Sequence, residues 1–410
     1  MTIDVHPFKG LRPKADLVAK IAAPPYDVLN SDEARTLARG NELTFLHVGK
    51  PEIDLDPAID IHDDRVYRKG KENYDALIKK AYTRDPAPRY YVYQQKMGDH
   101  VQAGIVAGAS IDDYQAERIK KHELTRIDKE NDRTRHIEVM RAHTGPVFLT
   151  YRASSEIDAI VNRVRSGTPE YDFVAPDQIG HTLWVISDDQ DSARLHQLFA
   201  AMPCLYVADG HHRSAAGSRV RDAYRKAHAD LKADHEVNYF LAVIFPHDQM
   251  QILPYNRAVK DLKSLDVESF KQKVGEKFEV KPTPEKQPGR SRCFGMFLGD
   301  RWYRLTARPG SFDEKDPVKS LDVSILQDNL LGPILGIEDP RTDKRVDFIG
   351  GIRGVVELER RCHQDCQVAF SMFATTIDQL MAIADAGKIM PPKSTWFEPK
   401  LRDGMVIHDY

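Results

Sequence analysis

Cys204-Leu205-Tyr206-Val207-Ala208-Asp209-Gly210-His211-His212-Arg213-Ser214-Ala215-Ala216-Gly217 decides how this chain is read. The apolar run Cys204 to Ala208 suits a short interior strand, and Ala215 to Ala227, with Val220, Ala223 and Tyr224, suits a helix packed against it. Asp, Gly, two His and Arg form a polar turn between them. Gly210 lets the backbone turn sharply and come close to a ligand, while the N–H groups of a first helical turn and Arg213 favour phosphate or carboxylate. Asp209 adds a carboxylate able to hold magnesium or accept a proton. The plainer role, Asp209 as a helix cap between surface histidines, would need only Asn or Ser.

The 410 residues allow two or three domains and a substantial core. Lys plus Arg number 59 against 62 Asp plus Glu, and the formal net charge of −3 argues against a nucleic-acid coat or a binder of anionic membranes. A composition of 41% hydrophobic and 30% charged residues is that of a soluble globular protein, and no apolar run approaches the ~20 residues that span a bilayer. Met1 to His6 lacks the basic start and apolar stretch of a secretion signal, and four cysteines are too few for a disulfide framework. The expected compartment is therefore the reducing cytoplasm. Cys362-His363-Gln364-Asp365-Cys366 matches no common zinc spacing and reads as a reduced structural pair.

The expected fold is mixed α/β in three regions: 1–150, 151–280 with the anion site, and 281–410. Asn30-Ser31-Asp32-Glu33 caps a helix running to about Arg39, and Ile61 to Tyr82 is helical. Tyr90 to Gln95 and Gly104 to Ala109 flank Gly98-Asp99 as a hairpin, and Cys293 to Leu298 with Trp302 to Leu305 form another across Gly299-Asp300. Strands at 145–151, 182–186 and 238–246 alternate with helices at 154–162 and 192–201. Lys281 to Arg292 reads as a linker or long loop, and Ser320 to Leu331 as an amphipathic helix.

Outside the central turn, four further segments carry chemistry. Pro24-Pro25 stiffens the approach to Tyr26-Asp27 and can present Asp27 into a cleft. Ile119 to Arg133 is dense in charge; read as one helix, it brings His122 and Glu123, as acid or base, and the phosphate-binding Arg133 to one cleft edge. Arg257 is expected at a strand end. Pro391-Pro392-Lys393-Ser394-Thr395 presents an ammonium and two hydroxyls suited to closing over an anion, without the glycine framework of a P-loop.

Taken together, Phe8 to Pro13, Pro24 to Val28, His122 to Thr125 with Lys129 to Arg133, Asp209 to Arg213, Ile252 to Tyr255 and Met390 to Lys400 resemble the bacterial and archaeal domain of unknown function 1015 family. Its members are often encoded beside serine-biosynthesis enzymes. Where the family usually has His-Arg after Leu-Pro-Tyr, this chain has Asn256-Arg257. The Asp209 to Arg213 turn also resembles the phosphate-binding box of the ParB and sulfiredoxin superfamily, which includes a free-serine kinase and nucleotide-binding partition proteins. These resemblances imply a ParB/sulfiredoxin-like core and a nucleotide-dependent kinase of serine or a similar hydroxy amino acid. Gly210, His211, His212 and Arg213 would hold ATP or ADP phosphates, with Arg133, Lys393, Ser394, Thr395 and Arg257 as further clamps. Glu123 or Asp27 would take the hydroxyl proton, and Asp209 would place magnesium. A phosphatase acting on phosphoserine, with His212 or another histidine of the turn as acid, base or nucleophile, and a nucleotide-binding regulator are the alternatives. The expected partner is a small phosphorylated ligand rather than a membrane or nucleic acid, and self-association is left open.

Overall fold

Tyr239–Pro246 is buried along its whole length, and that apolar run occupies the interior of a nine-stranded sheet. In the computed structural model, which describes residues 2–410, its neighbours are Val147–Tyr151, parallel, and His100–Ser110, antiparallel. Met1, the first residue of the segment read for a leader, lies outside the described residues. Beyond Val147–Tyr151 the sheet continues through Leu205–Asp209 to Ile119–Lys120; beyond His100–Ser110 it continues through Tyr90–Met97 and Gly180–Ile186 to Tyr171–Val174. Val5–His6 pairs with the far end of His100–Ser110. The expected hairpin forms in register, Met97 opposite His100.

Alternate residues of these strands meet helices Ser155–Arg165 and Asp189–Ala200. Val147, Leu149, Phe240 and Ile244 share one core with Ile157, Val161, Leu195 and Phe199. Helix His211–Ala227 packs along Ile127–Met140, burying Ala216, Val220 and Ile137 together. A further core joins Leu11, Ile21, Phe45, Tyr74 and Ile407. The backbones of Leu11 and Ile407 exchange hydrogen bonds of 3.0 and 2.9 Å, which ties the end of the chain to its beginning.

The chain forms two compact units: Met1–Met250 with Pro399–Tyr410, and Gln251–Glu398. Position 150 falls inside strand Val147–Tyr151, and position 280 inside Phe278–Pro282. Other strand pairs span each position, His100–Ser110 with Tyr239–Pro246 across the first and Tyr255–Val259 with Val346–Gly350 across the second, which is why the units do not divide there. The second unit holds a six-stranded antiparallel sheet in the order Phe278–Pro282, Arg301–Ala307, Cys293–Leu298, Val368–Ser371, Tyr255–Val259, Val346–Gly350. Among the described residues, no helix is long and apolar enough to cross a membrane.

Two local expectations change. The charged run at 119–133 is not one helix: Ile119–Lys120 pairs with Leu205–Tyr206 as an edge strand, and the helix starts only at Ile127. Strand pairing has overridden local helical composition. The stretch Ser320 to Leu331 is buried almost throughout, an α turn over Asp322–Leu326 followed by a π turn over Gln327–Leu331, so it lacks a polar face. Of the two readings of Lys281 to Arg292, linker or long loop, the structure shows the loop, which joins two strands of one sheet.

Because Phe240 is fully buried at the centre of the first core, Phe240→Ala is expected to destabilise the first unit by about 3–5 kcal/mol. A lowered urea midpoint with an unchanged slope would register it.

Candidate functional site

The decisive junction is tighter than the sequence suggests. Strand Leu205–Asp209 ends one residue before helix His211–Ala227 begins, leaving only Gly210 between them. Gly210 has φ 93° and ψ 28°, left-handed backbone that other L-residues adopt only with strain. His211, His212 and Arg213 thus belong to the first helical turn. Gly210 supplies no side-chain cap, so the backbone N–H groups of that turn stand ready for an external acceptor.

Four sequence-distant groups converge beside it. The Arg213 guanidinium donates to the Pro146 carbonyl at 2.5 Å and lies 4.0 Å from Asp403 Oδ1. Tyr26 meets two cations: the Arg133 guanidinium is 3.9 Å and that of Arg213 6.0 Å from its ring centre. Arg133 also donates to Asp132 at 2.7 and 2.9 Å. Burial would lower the basicity of Arg213, but the negative charges of Asp27, Asp403 and Asp209 outweigh it. Asp27 itself is exposed. Asp403 is buried, its Oδ1 has no hydrogen-bond partner, and burial raises its carboxyl to about 7 despite Arg213. Gly145 permits this approach, since a Cβ there would stand 2.5 Å from Asp403 Oδ1.

Asp209 departs from its expected role as a magnesium ligand. One oxygen accepts from the Gly210 N–H at 2.8 Å, and the other meets the Lys400 ammonium at 2.8 Å. Burial would raise its pKa, but Lys400, Arg213 and those hydrogen bonds hold it well below the usual carboxylate range. Two neighbouring cations oppose a divalent ion there. His212 Nε2 accepts from the Arg126 N–H at 3.1 Å, which leaves the proton of the neutral ring on Nδ1. Only the backbone of His211 serves the helix start; its ring is buried edge-on against His122, with centroids 4.5 Å apart. Glu123 gathers with these two rings.

Lys393, Ser394, Thr395 and Arg257 belong to the second unit. Arg257 lies within strand Tyr255–Val259, not at a strand end; it is buried, donates to the carbonyls of Tyr255 and Lys393, and stacks on Phe348. Ser394 Oγ donates to the Pro391 carbonyl at 2.5 Å. Asn256 accepts from the Met372 N–H at 2.9 Å, a structural contact at the position where histidine was expected. Sequence reasoning missed Tyr26, Lys400 and Asp403 as site residues. Tyr26 lay in a quoted motif, whereas Asp403 carries no local signal.

Gly210→Ala is expected to lower stability by about 1–2 kcal/mol through its backbone angle, since the nearest atom to a Cβ there is at an ordinary 3.4 Å. Chemical denaturation checks this. For Asp403, the unfolded chain releases the proton near pH 4 whereas the native state keeps it to about 7, so stability falls as pH rises across that interval. Thermal melts of Asp403→Asn should lack this decline, placing the variant above the wild type mainly at the alkaline end.

No curated protein matches the chain. Among solved structures, it is similar to a free serine kinase in complex with AMP at 13% identity, covering 71% of this chain and 86% of that one, with a TM-score of 0.35. SbnI with C-terminal truncation from Staphylococcus aureus aligns at 12% identity, 73% and 85% coverage and a TM-score of 0.37. A conserved hypothetical protein from Pyrococcus furiosus aligns at 13% identity, 74% and 94% coverage and a TM-score of 0.35. A family-wide sequence pattern matches residues 5–324, and the chain belongs to that family, described as Protein of unknown function (DUF1015).

Proposed function

We propose that this protein transfers a phosphoryl group from a nucleotide, ATP or ADP, to the hydroxyl of a small molecule, with free serine as the first acceptor to test. The observation that carries the reading is the uncapped start of helix His211–Ala227, flanked by Arg213 and Arg133 and by the buried carboxyl of Asp403. Backbone N–H groups and guanidinium forks match the demands of phosphoryl transfer, where the protein mainly positions groups and neutralises charge. The bond from phosphorus to the nucleotide's leaving oxygen breaks as the acceptor oxygen bonds to phosphorus. The hydroxyl proton passes to a carboxylate. Asp403, raised to about 7, suits that task better than the exposed Asp27, because a base works best near the ambient pH. Glu123 is turned to the histidine pair instead. Any magnesium enters with the nucleotide as part of the substrate, and no step is assigned to it on Asp209. The likeness of the Asp209 to Arg213 turn to a serine-kinase-containing superfamily supports serine as acceptor. A phosphatase finds less support, since His212 Nε2 is engaged by Arg126 and the His211 ring is buried.

The test combines nucleotide titration with turnover. Wild type should bind ATP or ADP and form phosphoserine. Arg213→Ala should weaken nucleotide binding by about 10–100-fold, the worth of a charged hydrogen bond. Asp403→Asn should keep binding and lose about 10²–10⁴ in turnover. Unchanged affinity in folded Arg213→Ala would sink the anion-site assignment. Phosphate release from phosphoserine without nucleotide would replace the kinase by a phosphatase, and binding without any turnover would leave a nucleotide-responsive regulator.

A further inference from the structure

Two imidazoles and a carboxylate, none with a part in the phosphoryl transfer proposed above, meet beside the start of helix His211–Ala227. His122 is 1% exposed and His211 5% exposed, yet neither ring nitrogen of His122 nor Nε2 of His211 makes a hydrogen bond of good geometry, the nearby Val207 backbone only favouring the protonated His122 ring against its burial. Buried polar atoms are almost always paired, so three orphans on two touching rings need an explanation. One ligand atom each from His122, Glu123 and His211 lie within 4.8 Å of one another. In a tetrahedral zinc site such atoms stand about 3.4 Å apart, so modest side-chain adjustment closes the set. His122 and Glu123 occupy the irregular segment after Ile119–Lys120, where adjacent residues can turn to one point, while the helix start fixes His211.

We infer that His122, Glu123 and His211 form a binding site for a transition metal of the zinc class, with a fourth position open to water or ligand. Two neutral imidazoles with one carboxylate is a donor set for zinc or cobalt, whereas magnesium prefers oxygen ligands throughout. The inference is independent of the phosphotransfer reading.

The full-length protein, stripped of metal by a chelator, would be titrated with Co²⁺ and followed by visible absorption and calorimetry. One equivalent with the intense band of a four-coordinate site, displaced by Zn²⁺, is expected. His122→Ala and His211→Ala should each weaken binding by at least about 100-fold, beyond the effect of altering an outer-shell partner. Circular dichroism of the metal-free variants shows whether they fold, and the wild-type cobalt spectrum reads the ligand set without any variant. Absence of stoichiometric binding, unchanged affinity in both folded variants, or a thiolate charge-transfer band placing the ion on cysteine would overturn the site. ADP titration of the stripped wild type, run separately, keeps failure here distinct from failure of the nucleotide site.

Discussion

The left-handed backbone of Gly210 is the constraint on which the site depends. It compresses the passage from strand Leu205–Asp209 to helix His211–Ala227 into one residue, so the helix starts directly at the end of that strand with its N–H groups uncapped. The same turn separates two chemistries. Asp209 and Arg213 face the charged cluster, while His211 turns inward to His122.

Charge balance around Arg213 comes from parts of the chain nearly 400 residues apart. Ala23 and Asp403 pair through their backbones, which brings the Tyr26-Asp27 segment and the last twelve residues to the same place. Burial works against both charges; around Arg213 the carboxylates outweigh it and keep the guanidinium strongly basic, whereas the Asp403 carboxyl ends up raised. Their opposite charges only partly compensate for Asp403. A carboxyl held near neutrality beside a cation is therefore a product of packing.

Much of the framework was legible in local sequence because its causes are local. The Asn30 and Glu33 capping box, the hairpins at Gly98-Asp99 and Gly299-Asp300, and the apolar strand 239–246 each follow from residue types within a few positions. The family resemblance drawn from dispersed motifs agrees with the match over residues 5–324, which takes in every motif quoted for it except Met390 to Lys400. Local composition misled where a distant partner decided the outcome. Leu205–Tyr206 recruited Ile119–Lys120 into the sheet, and near-complete burial replaced the amphipathic helix expected at 320–331.

By itself, then, the sequence determined the mixed α/β elements and the polar turn with Gly210 at its centre, since backbone angle, periodicity and capping act over short range. Only tertiary structure decided which groups that turn would meet. Lys400 took Asp209 into an ion pair, Asp403 became a buried acid beside Arg213, and Glu123 went to the histidine pair. Those outcomes depend on desolvation and on contacts between residues far apart in the chain, and neither is encoded in any local pattern.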